Sequence, residues 1–183
     1  MGCGRGELTR ELLPHVTGGL VHGFDLDPRQ VAAARSIAGA RFEVADAEDL
    51  YEQPAGKYDL AVCRRLLLHV RRPSEVLRQM ARIVRSGGAV AAIEPGVPDG
   101  LAGDVLDAIG ERWLGRRLAD LFAEAGLPDV TVARVEGSPP PLPTSPTDRD
   151  QYLGSGGTLE RWEQHLAQLR PTEGLWGGIA KVP

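Results

Sequence analysis

Short apolar runs alternate with segments of helical period over the first hundred residues, and few folds accommodate that order. Residues 6–16 put Leu8, Leu12, Leu13 and Val16 on one helical face, and Pro14 closes the helix. Residues 20–25 are a short apolar run ending in Asp25, which reads as a buried strand. Pro28 opens a second helix that continues through Val31, Ala32, Ala34 and Ala38 to Gly39. Residues 41–45 and 58–63 read as the next two strands. A third helix runs from Pro73 through Val76, Leu77, Met80, Ile83 and Val84 and stops at Gly87-Gly88. Residues 89–94 form a strand apolar on both faces, as suits the middle of a parallel sheet. Strands alternating with helices imply right-handed crossovers and an α/β, doubly wound, mostly parallel sheet.

The second half changes character. Residues 101–125 read as one long or two short helices, broken near Gly110 or Gly115. Residues 129–135 alternate like an edge strand. Residues 138–147 hold five prolines and read as an extended loop. A helix over 158–169 leads into a last strand, residues 175–182, expected to pair antiparallel with Val130–Val135 and so to belong to the same domain.

Composition narrows what such a fold can do. A chain of 183 residues, 42% hydrophobic, buries roughly 70% of its unfolded surface and needs no disulfide or metal to hold a core. Two cysteines, Cys3 and Cys63, are too few for a secreted disulfide framework or a zinc site. No apolar run reaches the ~18 residues of a membrane span, and the order of a signal peptide is missing. A net charge of −4 and 5% aromatics argue against nucleic acid. The expectation is a cytoplasmic protein that acts on, or binds, something small.

The chemistry-bearing cluster is Gly2-Cys-Gly-Arg-Gly6, running straight into a helix. Glycines let backbone approach a ligand without a Cβ between them, and a helix start offers free N–H groups. Asp25, nineteen positions beyond Gly6 at a strand end, has the spacing of an acid that meets a ribose hydroxyl pair. It also suits a helix cap, given Pro28. A dinucleotide fingerprint would need glycine at position 7, where Glu7 stands.

The form G-x-G-x-G, with cysteine in the first gap, resembles motif I of the class I S-adenosylmethionine-dependent methyltransferases. Later segments are similar in the same order. Residues 42–50 resemble the strand-three motif, with Asp46 and Ala47. Residues 58–70 resemble the strand-four motif, with Arg64 and His69. Residues 82–95 resemble the run into strand five, and residues 115–127 the helix before strand six. The resemblance is closest to small-molecule enzymes of the quinone-biosynthesis type, since Cys63-Arg64-Arg65 stands where amino-methyltransferases carry an Asn/Asp-Pro-Pro-aromatic signature. It implies a Rossmann-like fold using S-adenosylmethionine, with residues 1–98 as the cofactor half. Residues 99–183 would supply helices and a proline-rich segment over a small-molecule acceptor. It further implies that Gly2, Cys3, Gly4 and Gly6 wrap the amino-acid part of the cofactor. Asp25 would hold the ribose, Leu26 pack the adenine, Asp46 and Ala47 meet its amino group, and Arg64 contact cofactor or acceptor.

Methyl transfer needs a general base only when the acceptor is a hydroxyl or an acidic carbon. His69 and Glu94 are candidates, each better read as structural, so the catalytic residue is left open. Arg71, Arg72, Arg78, Arg82 and Arg85 read as a solvated helix face, and Trp113, Trp162 and Trp176 as packing residues. Two other readings stay open: a nicotinamide-dependent oxidoreductase, and a non-catalytic remnant of a methyltransferase.

One departure is large. The resemblance implies a strand before Gly2, at the sheet centre between the strands ending in Asp25 and Cys63, and Met1 stands in its place. Without it two buried strands lack a neighbour, each with several backbone groups unpaired. The expectation is an amino-terminally truncated reading of an enzyme. The flanking strands closing together, or a strand from another chain, are the other accounts.

Overall fold

The computed structural model describes residues 1–96, 114–135, 146–168 and 175–183. Helix α1 (Glu7–Leu12) ends in a 3-10 turn over Leu13–His15, where Pro14 removes a donor. Strand β1 (Val21–Asp25) is followed by α2 (Pro28–Ala34), whose cap Asp27 accepts from Arg29 N at 2.8 Å. Then come β2 (Ala40–Val44), β3 (Tyr58–Arg64), α3 (Pro73–Ile83) and β4 (Val84–Pro95). The remaining elements are α4 (Leu118–Glu124), β5 (Val130–Val135), α5 (Pro146–Gly154), α6 (Leu159–Gln168) and β6 (Leu175–Lys181).

The class is mixed α/β, mostly parallel, with an antiparallel carboxyl-terminal strand, as the alternation implies. β1 and β2 are parallel, as are β3 and β4, and β6 runs antiparallel to both β4 and β5. The strands do not form one sheet. β1 and β2 make a pair, and the other four make a separate sheet in the order β3-β4-β6-β5. β5 is an edge strand, as its alternation indicates.

The larger sheet carries the main core. One face of α3 buries Val76, Leu77, Met80 and Ile83, and α4 buries Leu118 and Phe122. Cys63, Val90, Ala92 and Ala180 of the strands form one cluster with Val76, Leu77, Met80, Leu118 and Phe122. The β1–β2 pair is backed by a small cluster of Val31, Ala34 and Phe42.

Three boundaries correct the sequence reading. α2 stops at Ala34 rather than reaching Gly39. The helix read as stopping at Gly87-Gly88 ends at Ile83, and β4 begins at once with buried Val84. Those glycines serve the strand instead. β4 advances from Val84 to Ala89 while β3 advances only from Tyr58 to Leu60. Gly87 turns there with φ 74, and a Cβ on Gly88 would lie 2.7 Å from the Asp59 carbonyl oxygen. The third correction is that helix α5 takes in residues 146–147, read above as the end of an extended loop. The calls on residues 101–113, 138–145 and Leu169, with Trp113, lie outside the described residues.

Candidate functional site

The glycine turn is tied to the carboxyl ends of two strands. Cys3 N donates to the Phe24 carbonyl at 2.8 Å, and the Met1 amino group donates to the Val62 carbonyl at 2.6 Å. Gly2, Gly4 and Gly6 have φ of 60, 52 and 86, the left-handed region that an L side chain resists. Two of them also lie in tight quarters: a Cβ on Gly2 would sit 2.8 Å from Leu66 Cδ1, and one on Gly6 2.2 Å from Ile37 Cδ1. The turn closes when Gly6 N donates to the Cys3 carbonyl at 2.8 Å, and α1 starts there.

Asp25 ends β1 and points into that turn. Its Oδ2 accepts from Gly4 N at 2.8 Å, and its Oδ1 from Asp27 N at 3.0 Å. The carboxylate thus joins the glycine turn to the entry of α2. Leu26, next in the chain, is 67% exposed, an apolar surface with nothing over it. Ala45 N donates to the Asp25 carbonyl at 3.0 Å, which carries the chain past β2 to Asp46 at the same end of the strands. Asp46 is exposed and its Oδ1 accepts from Glu48 N at 2.8 Å, while Ala47 is buried beneath it. A glycine turn, an acid beside it and an uncovered apolar side chain therefore share one rim. A nucleoside with a polar tail suits that set of donors and surfaces.

Arg64 ends β3, and its guanidinium reaches Glu11 on α1, with Nη1 2.8 Å from Oε2. It braces α1 against β3 beside the turn. His69 is exposed in the turn after β3. Glu94 is fully buried near the carboxyl end of β4, where its Oε1 accepts from Leu66 N at 2.9 Å and Leu67 N at 2.8 Å. Burial pushes its carboxyl up to about 7, against the pull of those backbone donors and of Arg65. Because Leu66 packs on Gly2, Glu94 sets the floor of the glycine turn from below. Arg65, held by its N–H to the Ile93 carbonyl at 2.9 Å, takes φ 54, the one positive φ among the described non-glycine residues.

A clamp at Glu48 went unseen in the sequence. Its Oε1 accepts from Arg71 N and Arg72 N at 2.8 and 3.2 Å, and its Oε2 from Arg72 Nε at 2.9 Å. The Arg72 guanidinium and these donors hold the Glu48 carboxyl below its usual range. The arginines read as a solvated face are mostly engaged. Arg78 meets Glu75 and the Glu124 carbonyl, Arg82 the Leu50 carbonyl, and Arg85 meets Asp59 at 2.7 Å. The only signal of the clamp was the pairing of an acidic run with an arginine pair some two dozen residues later.

Both thiols are free. Burial pushes Cys3 up to about 11 and raises Cys63 further, so both are protonated packing residues. Trp162 is buried against Tyr152 with ring centroids 5.6 Å apart, and Trp176 packs on the main core. Among the described residues no cluster of His, Cys, Asp and Glu could hold a metal, and no helix is long and apolar enough to cross a membrane.

Comparison with known proteins turns this geometry into a family. The chain is 33% identical over 95 residues to a ubiquinone biosynthesis O-methyltransferase of Pseudomonas savastanoi pv. phaseolicola, covering 49% of this chain and 40% of that protein. A like protein of Bordetella avium gives 33% over 95 residues. The chain thus spans less than half the length of these curated relatives. In structure it is similar to a putative methyltransferase solved with the Trm112 activator of Haloferax volcanii, with TM-score 0.68, 22% identity, all of this chain and 79% of that one. That likeness speaks for the fold alone. Residues 1–92, half of the chain and the part that carries the glycine turn, Asp25, Asp46 and Arg64, match the family described as a methyltransferase domain. The chain belongs to that methyltransferase domain family.

Proposed function

We propose that the chain binds S-adenosylmethionine at the glycine turn and transfers its methyl group to a small organic acceptor. The observation that carries this reading is the Asp25 carboxylate, held 2.8 Å from Gly4 N where the turn meets the end of β1. The cofactor supplies a methyl on a sulfonium, already activated for displacement. The chain's residues then have to align donor and acceptor and exclude water. Gly2 and Gly4 keep the turn free of side chains, and Asp25 accepts from the ribose hydroxyls with the lone pairs its two backbone donors leave open. Leu26 and Ala47 flank the adenine, Asp46 accepts from its amino group, and Arg64 borders the methionine end while braced by Glu11. Glu94 and Arg65 fix the floor.

The relatives named above are O-methyltransferases, so a hydroxyl acceptor is the first class to try. The family match leaves the nicotinamide-dependent reading, which Glu7 disfavours, without support. The remnant reading draws on the divided sheet. Two free thiols and the family suit the cytoplasm. Titration with S-adenosylhomocysteine tests the proposal: Asp25→Asn should weaken binding about 10- to 100-fold, the worth of a charge-assisted hydrogen bond, with the circular dichroism unchanged. Equal affinity in the two proteins sinks the ribose role. Binding without transfer to any phenolic acceptor favours the remnant.

A further inference from the structure

The loop between β2 and β3 hangs from α3 and the two residues ahead of it. Toward its far side, Leu50 N donates to Gln79 Oε1 at 3.3 Å, and the Leu50 carbonyl accepts from the Arg82 guanidinium. Nearer β2, the Glu48 carboxylate takes Arg71 N, Arg72 N and Arg72 Nε at 2.8, 3.2 and 2.9 Å. Ala47 and Leu50 are buried alongside, Ala47 in the main core with Val76 and Leu77. The loop follows β2 of the smaller pair, yet its supports belong to the helix that packs on the larger sheet.

Glu48 differs from the other supports in what it controls. Apolar packing keeps a loop near its place, whereas hydrogen bonds are directional and fix its orientation. A carboxylate taken out of water persists only where donors meet its oxygens, and here they do on both. What it orients is its own backbone. Glu48 N donates to Asp46 Oδ1 at 2.8 Å. Asp46 is exposed, and among the described residues none donates to its Oδ2. A line of contacts therefore runs from the start of α3, through Glu48, to one open carboxylate oxygen on the cofactor rim.

We propose that Glu48 is a positioning residue for base selection: it aims the open oxygen of Asp46 at the amino group of the cofactor's adenine, so that a purine with a carbonyl there is refused. The proposal rests on the adenine role given to Asp46 above. A carboxylate oxygen attracts an N–H and repels a carbonyl oxygen, but only while it is held in place. Geometry of that kind has to be fixed within about 0.5 Å. A loosened Asp46 swings away from the wrong base and loses its grip on the right one. Asp25 takes its donors from Gly4 N and Asp27 N on other segments, so ribose contacts do not depend on Glu48.

The test is calorimetry of the full chain with S-adenosylhomocysteine and with S-inosylhomocysteine, whose base carries a carbonyl in place of the amino group. The parent should prefer the adenine ligand about 30-fold, the worth of a hydrogen bond to a charged group. Glu48→Ala should cut that ratio to about 3-fold, chiefly by weakening S-adenosylhomocysteine. Glu48→Gln keeps an oxygen for Arg71 N and Arg72 N and should recover most of the ratio. Glu48→Asp keeps the charge but is one methylene short; it should fall between them, and it reads the same effect if the alanine variant does not fold. Equal weakening of both ligands, with the ratio at its parental value, is the mark of a merely structural residue and overturns the proposal. Asp46→Ala tells that failure from failure of the adenine role. If it abolishes the ratio while no Glu48 variant moves it, Asp46 reads the base unaided and only the positioning falls. If it leaves the ratio intact, or the parent shows no preference, the adenine role is wrong and the proposal goes with it.

Discussion

The β3-β4-β6-β5 sheet and the β1–β2 pair are built on the same parallel alternation, yet they are held in different ways. The larger sheet is backed by α3 and α4 through Leu77, Met80, Leu118 and Phe122, all fully buried. The pair is backed by Val31, Ala34 and Phe42, and a two-stranded sheet is marginal by itself. The glycine turn, Asp25 and Leu26 all sit with the weaker region. Ligand-binding elements are drawn from the low end of a protein's local stabilities, because they must adapt to what they hold. The difference teaches that the fold is anchored on the larger sheet while the rim proposed for the cofactor is assembled on the smaller pair.

The same substitution in both regions tests that contrast most directly. Phe122 and Phe42 are 0 and 5% exposed. Truncating either ring to alanine removes about 3–5 kcal/mol of local packing. Phe122→Ala should lower the main thermal transition of the whole chain. Phe42→Ala should leave that transition nearly in place, while it speeds amide exchange in β1 and β2 and weakens S-adenosylhomocysteine binding. Scanning calorimetry with exchange measurements reads both. If the two variants lower one common transition equally, the regions are a single cooperative unit and the contrast fails.

The parts legible in the sequence were those with local signals. The alternation set the strands, glycine spacing set the turn, and a strand-end acid set Asp25 beside it. Long-range partners carry no such signal. Glu48 and Arg72 lie in unremarkable polar runs, and only folding brings them to 2.9 Å. Gly87-Gly88 misled because a glycine pair after a helical run has the form of a helix stop. Buried β-branched Val84 had already turned the chain to strand, and the glycines were needed for the offset against β3. Glu94 was read as a turn-capping or structural acid. Its burial, which decides its chemistry, comes with the turn after β3, whose Leu66 and Leu67 N–H groups close on it from far along the chain.

Glu94 sharpens the comparison from the stable side. Its carboxyl sits at about 7 when folded, against 4.5 ordinarily, because burial disfavours the charge more than the Leu66, Leu67 and Leu68 N–H groups and Arg65 favour it. Between those values the folded chain keeps a proton that the unfolded chain has released. Stability therefore falls as pH rises through that window and is lowest above pH ~7, by roughly 3 kcal/mol. Glu94→Gln has no proton to lose and keeps an oxygen for Leu66 N and Leu67 N. Urea melts should show the variant equal to the parent near pH 5 and more stable near pH 8. Parallel pH slopes in the two proteins would mean that Glu94 is not the titrating group.

The smallest expected effect lies in the weaker region, at the point where α1 meets α2. Gly6 has φ 86 and ψ 26, donates to the Cys3 carbonyl and accepts from Arg10 N at 3.0 Å, so the backbone cannot leave the left-handed region without opening the turn. Gly6→Ala meets two separate penalties. The left-handed backbone costs an alanine about 1 kcal/mol, and the new methyl, 2.2 Å from Ile37 Cδ1, forces that side chain aside for about 1 kcal/mol more. Only the second depends on Ile37. In an Ile37→Ala background the cost of Gly6→Ala should therefore drop by about half, a coupling that a double-mutant cycle resolves. An unchanged cost in that background would show that Ile37, just past the end of α2, does not restrain the turn. The glycine rim would then be fixed by Asp25 and the strand ends alone, and the small Val31, Ala34 and Phe42 cluster would support β2 without shaping the site.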